Sequence, residues 1–461
     1  MFEKEEYEAM LEKIIEFVDK KQYARIKHEI AGMNEADIAE LIEDLREKIS
    51  TEELLKVFRL LPKSQAADVF SYLPVETEQF IITALTDKES QYIIENLFAD
   101  DAADLMEEMP AGVVKRLLEN ASSETRRDIN HLLKYPEDSA GSIMTVEFAD
   151  LKVDMTVEQA ISRIRKIGID KETINTCYVL DKHRKLVGTV TLRTILLSDP
   201  SAKIGDVMES NVITVSTLDD QEEVTQQFQK YDFMAMPVVD MEERLVGIIT
   251  VDDVLEIMED EATEDIQKMA AIVPADTDKP YLKTSVFETW KSRIPWLLLL
   301  MISATITGTI IDSFEAKLAG IAGLTAFIPM LMDTGGNSGG QASATIIRAI
   351  SLNDVDFKDI FKVIWKEVRV GFVCGITLAA ANFLRIFILQ GFDVGSITVI
   401  VVVCSTLFFT VICAKFIGCV LPMVAKRIGF DPAVMASPFI TTIVDAISLL
   451  IYLKIATALL L

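Results

Sequence analysis

PMLMDTGGNSGGQASATIIRAI, Pro329 to Ile350, lies in an otherwise apolar stretch, yet it carries an Asp, four glycines, an Asn and a Gln. A bilayer core is crossed by ~20 apolar helical residues, so polar groups and helix-weakening glycines at that depth need a reason. A phosphate loop is one reading, but no GK[ST] follows, and the signal fails. A seam of small residues where helices approach closely is a second. Backbone loosened beside a water-filled pathway, where irregular structure is tolerated, is the third. A further acid, Asp445 in TTIVDAISLLIYL, favours the third. Deep carboxylates are costly and face polar interiors; the bland alternative is an Asp bonded to a neighbouring Ser or Thr.

Working outward, five apolar segments are expected to span a membrane: 294–314, 316–350, 370–391, 396–423 and 434–459. Lys291 and Arg293 precede the first span. Arg348, Lys358, Lys362, Lys366 and Arg369 separate the second and third, and Lys426 and Arg427 the fourth and fifth. The alternate loops hold Lys317 or no base at all. This pattern puts the N-terminal part in the cytoplasm and the C-terminus outside. Arg385 and Lys415 are expected near span ends, with charges that snorkel to the interface. Gly371 and Gly375 form a GxxxG that helps helices approach. The N-terminal MFEKEEYEAM has no apolar core, so no cleaved signal peptide is expected.

The chain's net charge of −26 is unevenly shared. Of its 71 Asp+Glu and 45 Lys+Arg, residues 289–461 hold 10 and 13, a balance of +3, which leaves −29 on residues 1–288. Such an acidic surface repels nucleic-acid phosphate and attracts cations. Cys177, Cys374, Cys404, Cys413 and Cys419 form no CxxC pair, and His28, His131 and His183 are scattered. They read as small buried hydrophobes and lone histidines rather than a zinc set. The polar positions of the membrane part, including Asp333, Asn337 and Asp431, offer oxygen donors only. That set suits a hard cation such as Mg²⁺, Ca²⁺ or Mn²⁺. One deep carboxylate per chain is little charge for a dication; a homodimer with a pore on its axis supplies two.

Residues 1–135 read as short acidic amphipathic helices. AADVFSYLP (66–74) echoes AADLMEEMP (102–110), and ADIAELIEDL (36–45) resembles both. Repeats of this period predict a stacked helical superhelix. Most of its acids are a solvated face; Asp100, Asp101 and Asp104 are close enough to be more. Farther on, YVLDKHRKLVGTVTLRTIL (178–196) aligns with PVVDMEERLVGIITVDDVL (237–255) at an offset of 59. Each copy reads strand, turn, strand, helix, and the two resemble a tandem CBS pair, a regulatory module that often binds adenine nucleotides. The ribose-binding pattern Thr/Ser-x-x-Asp is present as Thr250 and Asp253, with Arg193 in the first copy, where Thr194 replaces the Asp. ATP at the pair is left open. VDDVLEIMEDEATEDIQKMA (251–270) is helical and acidic, placed to couple the pair to the membrane part.

This order of parts resembles the MgtE family of magnesium channels across essentially the whole chain. The signature residues are Pro329, Gly335, Gly336, Asn337, Gly339 and Gln341, joined by DPA at 431–433, EATEDI at 261–266 and the buried Asp445. The resemblance implies a multi-domain membrane protein. Its parts are an α-helical superhelix N domain (1–135), two α/β CBS domains (136–202 and 203–261), a plug helix region (252–290) overlapping the second, and an all-α membrane domain of five helices (291–461). It further implies a homodimer in the cell membrane and no enzymatic activity. Asp445 would hold a largely hydrated Mg²⁺ on the dimer axis, with Asn337, Ser437 and Thr441 as further oxygen donors. Ser437 stands where some members carry Asn. Regulatory Mg²⁺ would bind Asp100 and Asp104 in the N domain; Glu222, Asp232 and Asp253 in the CBS pair; Glu256, Glu261, Glu264 and Asp265 in the plug; and Asp431 at the pore mouth. Cytosolic Mg²⁺ would then close the pore. Two rival classes stay open: an ion-coupled divalent cation exchanger, and a membrane-anchored CBS sensor without transport.

Overall fold

The computed structural model describes residues 4–274, 281–282, 284–318, 324–390, 394–435 and 437–460. The chain divides into two compact units, Met1–Met258 and Glu259–Leu461.

In the first unit, helices α1 to α10 run from Lys4–Asp19 to Ser123–Leu132. Most span 8 to 12 residues, too short to be stable alone in water. Local signals start them. Asn34, Ser50, Thr86 and Ser122 each cap a helix by accepting from a backbone N–H, and Thr86 with Glu89 makes a reciprocal capping box. Such a cap contributes about 1 kcal/mol. Packing does the rest: one apolar core runs from Leu11 to Ile129 through Ile38, Phe70, Ile81 and Leu105. The sequence echo falls on α5 (Lys63–Ser71) and α8 (Ala99–Glu108); each is followed by a Pro that opens the next helix.

The offset-59 repeat is realised strand by strand. β1 (Phe148–Lys152), β2 (Thr173–Leu180) and β3 (Leu186–Thr191) form one sheet in that order, and β4 (Val215–Ser216), β5 (Ala235–Val239) and β6 (Leu245–Thr250) form the other. In each, the first pair is parallel and the second antiparallel. Thr176 faces Thr191 and Ala235 faces Thr250, so even the register repeats. α11 (Val157–Ile167), α12 (Leu192–Leu197) and α13 (Ile204–Val207) serve the first sheet, and α14 (Gln221–Tyr231) packs on the second. The sheets meet through Phe148, Tyr178, Leu180, Leu245 and Ile248. Gly247 marks the closeness of that joint: an added Cβ would sit 2.7 Å from the Thr145 carbonyl oxygen.

α15 (Val251–Met269) continues without a break from the second copy into the acidic plug sequence. Part of the expected plug region, 275–280 and 283, lies outside the described residues.

The second unit holds α16 (Val286–Leu318), α17 (Ile328–Ser351), α18 (Ile360–Gln390), α19 (Val394–Arg427) and α20 (Ser437–Leu460). α19 packs on α17, α18 and α20, while α16 packs on α20. Among the described residues, four helices are long and apolar enough to cross a membrane, those of α16, α18, α19 and α20; α17 is too polar to count with them.

α17 differs from the expectation for its sequence. No loosened backbone is found: its 24 residues form one continuous helix that opens with Pro329 near its N-terminus, where the missing N–H costs nothing. The glycines make a packing seam instead. An added Cβ on Gly336 would lie 2.7 Å from the Thr441 methyl of α20, and one on Gly418 of α19 would overlap the Gly339 carbonyl oxygen. The Gly371/Gly375 pair lets α18 approach Ile412 and Phe408 of α19 within the same chain.

Candidate functional site

With the glycine face of α17 buried, helical periodicity sends its polar residues the other way. Asp333, Asn337, Gln341 and Thr345 recur every fourth residue and are all exposed, whereas Gly335, Gly336, Ser338, Gly339 and Gly340 are buried. A membrane helix with an exposed polar stripe has a wet or partnered face, because lipid cannot satisfy an Asp, an Asn and a Gln.

α20 brings Asp445 to the same place. Asp445 lies within Coulombic reach of Asp333, and its Oδ1 is buried without a hydrogen-bond partner. At that oxygen, no neighbouring hydroxyl ties the carboxylate. Thr441, one turn earlier, packs on Gly336. Thus Asn337, Thr441 and Asp445 share the α17–α20 pair, while the side chain of Ser437 lies outside the described residues.

Two features have no counterpart in the sequence pattern. Ser338, Thr410 and Ser448 are buried hydroxyls without partners; Ser448 and Thr410 both crowd Gly335, 2.8 Å from where its Cβ would be. Lys415 is buried rather than reaching for an interface. α19 extends to Arg427, which puts Lys415 in the helix interior, where it is 6% exposed and its Nζ donates to Gln341 Oε1 at 3.4 Å. Snorkelling is excluded for it. Arg385 is exposed and its Nη2 donates to the Met330 sulfur at 3.1 Å.

In the first unit, α8 turns Ala99 and Ala103 into the core of the second CBS copy beside Val254 of α15. That docking sets Asp100, Asp101 and Asp104 against the start of α15. Asp101 and Asp104 are each pushed up to about 7 by burial and by neighbouring carboxylates including Asp253 and Glu256. Asp100 is raised well above the usual carboxylate range by burial, Asp101 and Asp253. Glu172 rises to about 7 by burial and by Asp252 and Asp253. Four acids held this far from their ordinary values form an electrostatic sink for positive charge. Asp101 is already marked in the sequence by its closeness to Asp100 and Asp104; Glu172 carries no motif that marks it as a site, and only the fold brings it in. Among the described residues, no three His, Cys, Asp or Glu side chains converge as a ready-made metal site.

Glu222 and Asp232 do not join this group. They flank opposite ends of α14, Glu222 in its first turn and Asp232 as a left-handed C-cap at φ 55°, about 15 Å apart along the axis. The nucleotide pattern is unequal between the copies. Thr191 faces Thr194 at 2.9 Å, hydroxyl to hydroxyl, beside an exposed Arg193. Thr250 donates to Asp253 at 2.6 Å. Asp253 sits in the acidic cluster, which repels a polyphosphate unless cations accompany it.

The plug acids fall in the second unit, apart from Glu256, which is exposed on α15. Lys268 Nζ bridges Glu264 and Asp431, both at 2.7 Å. Burial opposes its charge, but the bonds to Asp431 and Glu264 outweigh that and raise its pKa. Asp265 is raised by burial and by Asp431. Asp431 Oδ1 also accepts from Ala433 N at 2.7 Å, and Met269 packs with Ile347 and Ala433. The end of α15 is thereby tied to the turn before α20. Lys268, a base amid acids, is not among the residues the sequence pattern marks. Glu261 is half-buried on the same helix.

The chain matches family profiles in the same order. The MgtE intracellular N domain covers residues 33–138, CBS domains 140–199 and 204–260, and the MgtE profile, a divalent cation transporter, 328–455. The magnesium transporter MgtE of Thermus thermophilus is 37% identical over 423 residues, 90% of this chain and 92% of that one. The solved soluble part of a magnesium transporter is 28% identical, with a TM-score of 0.51, covering 56% of this chain and all of that one. The cytosolic domain of the Mg²⁺ channel MgtE in complex with ATP is 35% identical at a TM-score of 0.47, covering 50% and 93%. Profile order, shared length and the polar α17–α20 pair agree: the chain belongs to the MgtE family of divalent cation transporters.

Proposed function

We propose that this chain admits Mg²⁺ to the cytoplasm as a homodimeric channel, closed by cytosolic Mg²⁺ on its acidic N-domain, CBS and plug surfaces. The observation that carries the reading is the two-faced α17. Its small face is packed, and its stripe of Asp333, Asn337 and Gln341 is exposed beside an Asp445 with a partnerless oxygen. Two such faces across a symmetry axis would enclose an aqueous path lined by oxygen. Mg²⁺ sheds water reluctantly, so two carboxylates acting through its water shell suit it better than a tight cage. The loop charges favour a cytoplasmic N-terminus and an outside C-terminus. Entry is driven by the membrane potential, roughly 2.3 kcal/mol per charge per 100 mV, and about twice that for a dication.

Closure follows from the first unit's charge. The acids of α8 and α15 repel one another, and Mg²⁺ bridging them would offset that repulsion and favour a compact, plugged state. Several weak carboxylate sites respond at ~10⁻⁴–10⁻³ M, and a ligand that binds one state better shifts the population towards it. The regulatory acids are Asp100, Asp104, Glu222, Asp232, Asp253, Glu256, Glu261, Glu264, Asp265 and Asp431, to which Asp101 is added.

The test is Mg²⁺ flux into liposomes at low and high internal Mg²⁺, with a panel of divalent ions. Asp445→Ala should abolish Mg²⁺ flux while the protein stays folded and dimeric; wild-type uptake by that variant would reject the pore role. Dependence of flux on a H⁺ or Na⁺ gradient would favour the exchanger reading.

A further inference from the structure

The Lys415 ammonium is not among the groups assigned to the pore or to the acidic sensor surfaces. It lies 12 residues before Arg427 on α19, about 18 Å from the cytoplasmic end of the helix. It is almost fully buried. Among the described residues no carboxylate lies within 4.0 Å of it. Its stem packs against the backbone of Gly371, and its Nζ donates to Gln341. An unpaired buried ammonium is expensive, and a packing role would be met by a neutral chain of equal length. Among the described residues, the hydrogen-bond partner of its ammonium belongs to the polar stripe. Gln341 is eight residues from Asp333, which sets the charge about 12 Å along α17 from that carboxylate.

We propose that Lys415 is a specificity-determining charge of the pathway: a tethered cation on its cytoplasmic side that weakens cation binding at the carboxylates. This rests on reading the α17 stripe as the pathway wall. Conduction needs sites strong enough to fill and weak enough to empty. Two facing carboxylates hold a dication too firmly, and a fixed positive charge beyond them loosens it towards the cytoplasm. The effect scales with ion valence. At an effective dielectric constant of about 40, a unit charge ~12 Å away weakens binding roughly threefold for a monovalent ion and roughly tenfold for a dication.

Lys415→Gln and Lys415→Met delete the charge, and Lys415→Arg keeps it. In proteoliposomes, the half-saturating Mg²⁺ concentration should fall roughly tenfold in both neutral variants and stay at the wild-type value in the Arg variant. The half-saturating Na⁺ concentration for current without divalent ions should fall only roughly threefold. Equal shifts for both ions, or none, overturn the proposal, because a packing change has no reason to follow valence. Loss of flux in the neutral variants, with Lys415→Arg also inactive, makes the residue structural and likewise overturns it. Wild-type flux that survives Asp445→Ala removes the pathway itself, a failure separable from the others.

Discussion

Gly335 shows how a single missing side chain shapes the membrane unit. A Cβ there would meet Ser448 Oγ and the Thr410 methyl at 2.8 Å and Val444 at 2.9 Å. Gly335→Val should lower the thermal midpoint of the detergent-solubilised protein, by about 1–3 kcal/mol of stability for an overpacked core. It should also reduce flux by displacing α20 and its Asp445. An unchanged midpoint would show that the seam has slack. The sequence held the clue to this helix. The polar residues at 333, 337 and 341 and the glycines at 335, 336 and 339 follow two faces of one period. Glycine content alone suggests a weak helix, whereas this helix needs a smooth side. Lys415 is harder to place for a different reason. A lone Lys in an apolar run reads as one that reaches for the interface, and only the packing of α19 on its neighbours shows its ammonium buried against Gln341.

At the scale of elements, α8 meets the start of α15 in a contact rich in acids. Asp101, Asp104 and Glu172 are raised to about 7, above the ~4 of an unfolded carboxylate. The folded state therefore binds more protons between pH 4 and 7, and stability falls as pH rises through that window. Without divalent ions, the thermal midpoint should drop from pH 5 to 8. Millimolar Mg²⁺ should flatten the drop by supplying the charge that protons supplied. A midpoint that rises with pH would contradict this arrangement. The groups that act on Asp101, namely Glu147, Asp252, Asp253 and Glu256, are carboxylates too, and all push in the same direction. Little of this is legible in the sequence. The CBS repeat can be read to the register because local alternation sets a strand. The α8–α15 contact depends on Ala99 and Ala103 finding the second core, and the Lys268–Asp431 pair joins residues 163 apart. No local pattern encodes either meeting.

At the scale of the whole molecule, sequence and structure agree on the division of labour. An acidic first unit carries nearly all the net negative charge, and a second unit of long apolar helices carries the candidate membrane site. The order of domains is legible because composition changes sharply at each boundary. The partners that individual acids find are not.

α15 bears on both units because no interruption separates Asp253 from Lys268. A continuous helix has phase as well as length. Inserting one residue after Asp260 would turn Lys268 by about 100° relative to Asp253 and advance it ~1.5 Å, while the Lys268–Asp431 pair, both members beyond the insertion, stays intact. Such a variant should still admit Mg²⁺ but ignore its internal concentration, whereas inserting a full seven residues, nearly two whole turns, should restore much of the response. Liposome flux at low and high internal Mg²⁺ distinguishes the two. If both insertions regulate normally, the helix serves as a tether; if only the in-phase one does, it works as a crankshaft.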